Sequence, residues 1–270
     1  MTNNTKELVE KSDLNNLEKY YWGYMYDLGT SYIVPHLIRE GIFKKGDKVA
    51  EIGSAEGGVL HSFLENGSSE ALGTDIAKVR LETGRLISKI AGLNVDYVYH
   101  DIINQEPLTE WLGKYDLVIL RDVIEHLDDA EIALKNIGKI LKKGGFLYVT
   151  FPPYNSPYGG HQHTLFGNFL TKLPWIHLFS DGIFNKLIKS GRPQDIIEVN
   201  RLKRIRFSPE KMEKSAAKSG FDVYKKEFFI IRPVYKMKFG LNPVKLKFSQ
   251  NNKFVRNFLC QEASYILKKI

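Results

Sequence analysis

Two groups of residues in this chain are of the types, and at the spacing, that chemistry requires. The first is Val49-Ala50-Glu51-Ile52-Gly53-Ser54-Ala55-Glu56-Gly57-Gly58, followed about 20 residues later by Asp75. Small residues let a backbone approach a ligand closely, and a downstream acid can accept from both hydroxyls of a ribose. Gly53, Ala55 and Gly58 can be laid onto a dinucleotide-binding pattern. Glu51 and Glu56 argue against it, because a diphosphate wants the bare positive end of a helix. Two carboxylates suit a nucleoside-like guest that carries positive charge.

The second group lies further along. Arg121, Asp122, Glu125 and His126 follow one apolar run, and Pro152 to His163 follows the next. His161 and His163 are candidate general bases, since imidazole titrates near neutral pH, and Asp122 is a third candidate. If the segment is extended, His-Gln-His points its two imidazoles apart, so one histidine is expected at the site and one in a structural role. His126 is expected to orient its loop. No cluster demands a metal ion, and none is expected; the one combination with ligand potential is the two histidines with Asp122.

Both groups need elements to hold them. Lys48–Ile52, Glu70–Thr74, Val95–Tyr99, Tyr115–Leu120 and Phe146–Phe151 read as buried strands alternating with helices, which predicts βαβ units and a doubly wound, mostly parallel sheet. Such a sheet binds its ligand beyond the carboxyl ends of its strands. Ala77–Ala91 reads as a helix with Val79, Leu86 and Ile90 on its apolar face. Asp128 is expected to cap the next helix, with Glu131 completing a capping box. That helix is expected to run to Leu141 and stop at Gly144-Gly145. Ser208 and Pro209 start another that Gly220 ends. Asp222–Ile231 and Phe258–Leu267 read as an antiparallel pair, with no clear helix between Arg232 and Asn257.

The predicted organisation is an aromatic helical segment (1–46), an α/β core (47–154), an inserted cap (155–206), and a C-terminal helix and strand pair (207–270). Trp175, Phe166, Phe169, Phe179 and Phe184 make the cap either a lid over an organic substrate or a small second core. The aromatic run Tyr20 to Tyr32, with Tyr21 and Trp22, could close over the ligand or simply cover the sheet.

Composition excludes several classes. The chain has 270 residues, 43% hydrophobic and 26% charged, which is ordinary for a globular protein. The one cysteine, Cys260, rules out an internal disulfide, and a reducing cytoplasmic location is the expectation. The net charge of +8 is uneven: residues 1–185 carry 18 Lys and Arg against 24 Asp and Glu, whereas residues 186–270 carry 21 against 7. A basic last third fits an anionic substrate, a nucleic acid or an anionic membrane surface.

Taken in order, these stretches resemble the class I S-adenosylmethionine-dependent methyltransferases, in their small-molecule branch. The similarity covers Lys48 to Phe151 and the closing strand pair. Glu51 to Gly57 is similar to the family's acidic glycine-rich first motif, with Ala55 where the middle glycine is usual. Asp75 falls on the ribose-binding acid, and Asp101-Ile102 on the adenine-holding position. Tyr115 to Leu127 is similar to the fourth-strand motif, and Leu141 to Gly145 to the turn into strand five. The resemblance implies a seven-stranded Rossmann-like sheet with an antiparallel C-terminal strand. It also implies that Glu51, Gly53, Ser54, Ala55, Gly57, Asp75, Ile76, Asp101, Ile102 and Arg121 hold S-adenosylmethionine, and that the reaction is an in-line displacement. The expected acceptor is a hydroxyl of a sugar, glycan precursor or other anionic metabolite, met by Arg192, Arg201, Lys203, Arg204 and Arg206.

Two other readings compete. An RNA methyltransferase fits the basic last third, but no Asn-Pro-Pro-Tyr-type motif follows strand four and no RNA-binding module is appended. A peripheral membrane protein fits the alternation in Lys236-Met237-Lys238-Phe239 and Lys245-Leu246-Lys247-Phe248, which equally describes a half-buried strand. Oligomeric state leaves no signal.

Overall fold

The structure, a computed structural model, describes residues 4–247 and 252–270. In chain order its helices and strands are α1 (Asn4–Glu10), α2 (Asn16–Leu28), α3 (Val34–Arg39), β1 (Lys48–Ile52), α4 (Gly58–Glu65), β2 (Glu70–Asp75), α5 (Lys78–Ala91), β3 (Asp96–Tyr99), β4 (Tyr115–Arg121), α6 (Ala130–Ile140) and β5 (Leu141–Phe151). After them come α7 (Asp181–Ile188), α8 (Pro193–Ile205), α9 (Pro209–Lys218), β6 (Phe221–Ile231), α10 (Val234–Phe239), β7 (Val244–Lys245), α11 (Lys253–Leu259) and β8 (Glu262–Lys269).

All eight strands form one sheet, in the order β3-β2-β1-β4-β5-β8-β6-β7. β1 to β5 run parallel, while β8, β6 and β7 pair antiparallel. The fold is the α/β sheet expected from the sequence, with the two-residue β7 added at one edge to the anticipated seven. Strand order reverses between β1 and β4, so the crevice of the sheet opens above those two strands.

β4 shows why the strands read as continuous apolar runs. Ile119 belongs with Leu37, Phe63 and Tyr148 to the core on one face, and its neighbour Leu120 with Ile137, Met212 and Leu267 to the core on the other. Helices cover both faces, so both phases of the pleat are buried. Phe63 alone, fully buried, contributes on the order of 2–3 kcal/mol of transfer free energy.

Several local expectations shift. Asp129, not Asp128, caps α6 by accepting from Ile132 N at 3.0 Å; Asp128 is taken up by Arg201 and Arg204. α6 ends at Ile140, and Leu141 to Gly145 already belong to β5, with Gly144 in the left-handed region (φ +73°) shaping an irregular start. α5 buries Leu81, Thr83, Gly84, Ile87 and Ser88; Val79 and Leu86 point outward. Thr83, Gly84 and Ser88, small or hydroxyl side chains, complete the buried stripe around Leu81 and Ile87, and a search for apolar residues alone passes over them.

The region between Arg232 and Asn257 contains two short helices, α10 and α11, so Lys236 to Phe239 is helical rather than a strand. β8 begins at Glu262, and Phe258 belongs to α11; Phe248 lies outside the described residues. Ser208 caps α9 as expected, with Pro209 in its first turn.

Candidate functional site

The loop between β1 and α4 is tied to β2 from below. Gly53 N and Ser54 N donate to Thr74 O at 2.7 and 2.9 Å, and Ala55 N donates to Asp75 Oδ2 at 2.9 Å. The other Asp75 oxygen accepts from Ala77 N at 2.8 Å, so this acid organises both the loop and the start of α5 while facing the crevice. Gly53 has φ +73°, and a Cβ there would lie 2.4 Å from Val123 Cγ2; only glycine fits. Ala55 adopts φ +49°, a conformation that costs an alanine about 1–2 kcal/mol.

Above this loop lies a crevice of 530 Å³. Gly53, Ala55, Asp75, Ile76, Asp101, Ile102 and Arg121 all line it, as does Tyr21. Glu51, Ser54 and Gly57 stand behind its wall instead. Gly57 is required by packing, since a Cβ would collide with the Tyr97 hydroxyl. Ser54 is buried with its Oγ unpartnered, and Trp22 is sunk in the core, donating from Nε1 to His61 Nδ1 at 2.8 Å rather than covering the crevice. Asp101 accepts from the N–H groups of Ile103 and Asn104, an arrangement that outweighs its desolvation and lowers its pKa.

Glu51 is the informative residue. It is buried, its Oε2 has no hydrogen-bond partner, and burial raises its pKa to about 8 against the pull of Arg121. A buried carboxyl left without a donor is costly unless something supplies one. The crevice itself is acidic: Glu56, Asp75, Asp101, Asp122 and Asp128 face three guanidiniums, those of Arg80, Arg121 and Arg201. A nucleoside carrying an ammonium and a sulfonium fits this acid-rich surface better than a diphosphate does.

A second cavity, of 560 Å³, shares Tyr24, Met25, Arg121 and Asp122 with the first. Its charge is opposite. Arg121, Arg232, Lys172 and Lys238 line it, and Asp122 is its one carboxylate among the described residues. Asp122 is already claimed. Both its oxygens accept from Arg232 Nη2, at 2.5 and 2.7 Å, and Arg121 Nη2 lies 3.4 Å away. Its left-handed backbone (φ +52°) turns the chain at the end of β4. Burial opposes its ionisation, but Arg232 and Arg121 prevail and lower its pKa. Among the described residues Lys238 has no carboxylate partner; its Nζ stands 4.2 Å from the centroid of the Tyr24 ring, and burial lowers its pKa.

His161 and His163 both line this second cavity, contrary to the divergence expected of an extended segment. Residues Gln162–Thr164 form a 3₁₀ turn after a left-handed His161 (φ +53°), and buried Gln162 is the residue that points away. The two rings lie 6.2 Å apart. Burial first, then neighbouring histidines, pushes His161 down to about 3; burial and Lys172 push His163 down to about 4. Both are neutral imidazoles at pH 7.

His126 lies in the crevice, bonded to Glu198. Burial disfavours its protonation, but Glu198 and Glu125 outweigh that and raise its pKa. Glu125, His126 and His161 bring ligand atoms within 4.8 Å of one another, and both oxygens of buried Glu125 lack partners. This trio, not the histidines with Asp122, is where a divalent cation could be held.

The cap answers to the second of its two expected readings, a small core, and departs from the basic role expected of it. Phe184 is buried with Leu165, Ile176, Ile188 and Val199 in a small core of the cap's own, and none of the five cap aromatics lines either cavity. Its basic residues are largely neutralised: Arg192 by Asp195, Lys203 by Asp181, and Arg201 and Arg204 by Asp128.

Reading along the chain missed Arg232 and Lys238. They approach Asp122 from more than a hundred residues away, and the one trace of them was a stretch, residues 228–261, without a single Asp or Glu.

The sheet order and the glycine-rich turn at its switch point are similar to those of the class I S-adenosylmethionine-dependent methyltransferases. Residues 50–147 match the family model described as a methyltransferase domain. Curated relatives include two ubiquinone biosynthesis O-methyltransferases. The one from Proteus mirabilis (strain HI4320) is 30% identical over 109 residues, 40% of this chain and 42% of that protein. The one from Coxiella burnetii (strain Dugway 5J108-111) is 26% identical over 130 residues, 48% and 53% of the two chains. This chain therefore spans about half the length of the curated relatives it matches. S-adenosylmethionine-dependent methyltransferases from Clostridium acetobutylicum ATCC 824 (TM-score 0.57, 13% identity, 90% of this chain and 92% of that one) and Mesorhizobium loti (TM-score 0.55, 12% identity, 89% and 100%) share the fold. No helix among the described residues is long and apolar enough to cross a membrane.

Proposed function

We propose that the protein is an S-adenosylmethionine-dependent O-methyltransferase acting on a hydroxyl of a small acceptor that also carries an anionic group. The observation that carries this reading is the pairing of an acidic crevice with a basic cavity across a shared seam at Arg121 and Asp122. The methyl donor belongs in the acidic chamber and an anionic acceptor in the basic one. That the curated relatives are named as O-methyltransferases supports oxygen as the acceptor atom.

In this reading residues 47–154 hold the donor, and the 155–206 cap and 207–270 segment build the acceptor side. Asp75 and Asp101 face the ribose and adenine, the Gly53–Ala55 turn lets the chain approach, and Glu51 supplies negative charge beneath the turn once the cationic donor has drawn off its proton. When bound, S-adenosylmethionine supplies an electrophilic methyl group on a sulfonium that leaves readily. What remains for the chain is alignment, exclusion of water and removal of one proton. His161 is the assigned base: it is neutral at pH 7, faces the acceptor cavity, and is near enough to ionised Asp122 for that carboxylate to favour an imidazolium. Lys238, with Lys172, grips the acceptor's anion. A sugar or glycan precursor bearing phosphate or carboxylate meets these demands. Buried Cys260 is compatible with a reducing cytoplasm.

The test is transfer of labelled methyl groups to a panel of hydroxylated acids and their neutral esters. The reading expects acids to be methylated on oxygen and the esters to be poor acceptors; equal turnover of both would remove the anion-binding role.

A further inference from the structure

Three segments meet around the mouth of the basic cavity. The cap reaches it through His163 and Lys172, α10 and the turn after it through Lys238, Phe239 and Leu241, and the end of α11 through Gln261 just beyond. Trp175 Nε1 donates to Phe258 O at 3.2 Å, tying cap to α11. On these segments solvent meets rings: Phe169 is 78% exposed, Phe254 69% and Phe239 64%. All five exposed phenylalanines of the described residues lie on the cap, α10 and α11, and leucines 170, 173, 241 and 259 are exposed with them.

On α10, α11 and the chain between them the charges interleaved with the rings are of one sign, whereas the cap carries both. Residues 228–261 hold seven Lys and Arg and no acid. Lys236, Lys247 and Lys253 have no carboxylate partner among the described residues, whereas lysines on the opposite sheet edge, such as Lys48 and Lys114, are paired with Glu70. Isolated apolar side chains spaced by unpaired lysines are the composition of a surface that enters an anionic headgroup layer. A second copy of the chain fits poorly, since two such faces repel. RNA would stack on the rings but gains little from four exposed leucines.

We propose that this face docks on an anionic lipid bilayer, with the acceptor cavity opening toward the membrane so that an acceptor borne on a lipid can reach the seam. The docking stands apart from the methyl-transfer reading, and its test uses no turnover. The full chain is sedimented with phosphatidylcholine vesicles and with vesicles in which half the lipid is phosphatidylglycerol, for wild type and for Phe169→Ser/Phe254→Ser. Affinity for S-adenosylhomocysteine serves as the folding control.

The expected result is pelleting with the anionic vesicles only, weakened by salt, and reduced about tenfold or more in the double variant at unchanged cofactor affinity. Charge reversal at Lys236 and Lys253 should abolish it. Absence of pelleting, equal pelleting of wild type and double variant, RNA binding without vesicle binding, or a wild-type dimer that the double variant dissolves would each overturn the proposal.

Discussion

Arg232 Nη2 donates to both carboxylate oxygens of Asp122 while Arg232 Nε donates to Glu262 Oε2 at 3.0 Å, so one guanidinium joins the end of β4 to the start of β8. The pair closes the seam between the two chambers. Because Glu262 is buried and Asp122 half-buried against it, removing the guanidinium strands two acids at once. Arg232→Met should lower unfolding stability by about 3–5 kcal/mol, read as a shift in urea midpoint. Arg232→Lys restores the charge but not the planar fork, so it should recover only part of the loss. A change below about 1 kcal/mol in Arg232→Met would show the network to be slack.

Glu51 makes a pH prediction of definite sign. Its folded pKa, about 8, exceeds the ordinary 4.5, so its contribution to stability is complete below 4.5 and is lost as pH rises through 8. Glu51→Gln should therefore flatten part of the stability loss between those limits, leaving the share due to Glu125, which burial raises to about 7. A cationic ligand beside Glu51 draws off its proton. Binding of S-adenosylmethionine at pH 7 should release protons, seen as an enthalpy that varies with the buffer's ionisation heat. In Glu51→Gln that variation should shrink.

His161 and His163 separate by position. His161→Ala should lower kcat by about 10²–10⁴-fold, His163→Ala by far less, and affinity for S-adenosylhomocysteine should stay level in both. With His161 pushed to about 3, the base form is present throughout the neutral range, so kcat/KM should show no acid limb near pH 6.5. A limb at that pH which disappears in His163→Ala would transfer the role to His163.

Gly53 tests the loop. Gly53→Ala must place a methyl against Val123 Cγ2 and hold it at φ +73°. Thermal melts should show a loss of at least about 1–2 kcal/mol, with weaker cofactor binding. Ala55→Gly, by contrast, removes a left-handed alanine and should be tolerated.

The parallel core was legible because its strands carry short, mostly apolar runs that end at polar or small residues, spaced by stretches long enough for a helix. Gly53, Ala55, Asp75 and Asp101 were legible for the same reason: a switch-point crevice is made of residues close in sequence to their own strand ends. The second cavity was not. Its walls come from α2, the cap and α10, and Tyr24, Lys172, Arg232 and Lys238 converge only through tertiary packing. His161 and His163 were found by type, yet their shared direction depended on one left-handed residue that no periodicity announces. α10 and α11 escaped because each is a short helix of six or seven residues, too brief to display a helical period.

Calorimetric titration with S-adenosylhomocysteine and with NAD, on wild type and Asp75→Ala, asks most directly what the acidic crevice holds. The account predicts saturable binding of S-adenosylhomocysteine, a marked loss of that binding in Asp75→Ala, and no heat from NAD. Binding of NAD by wild type, with S-adenosylhomocysteine inert, would contradict it.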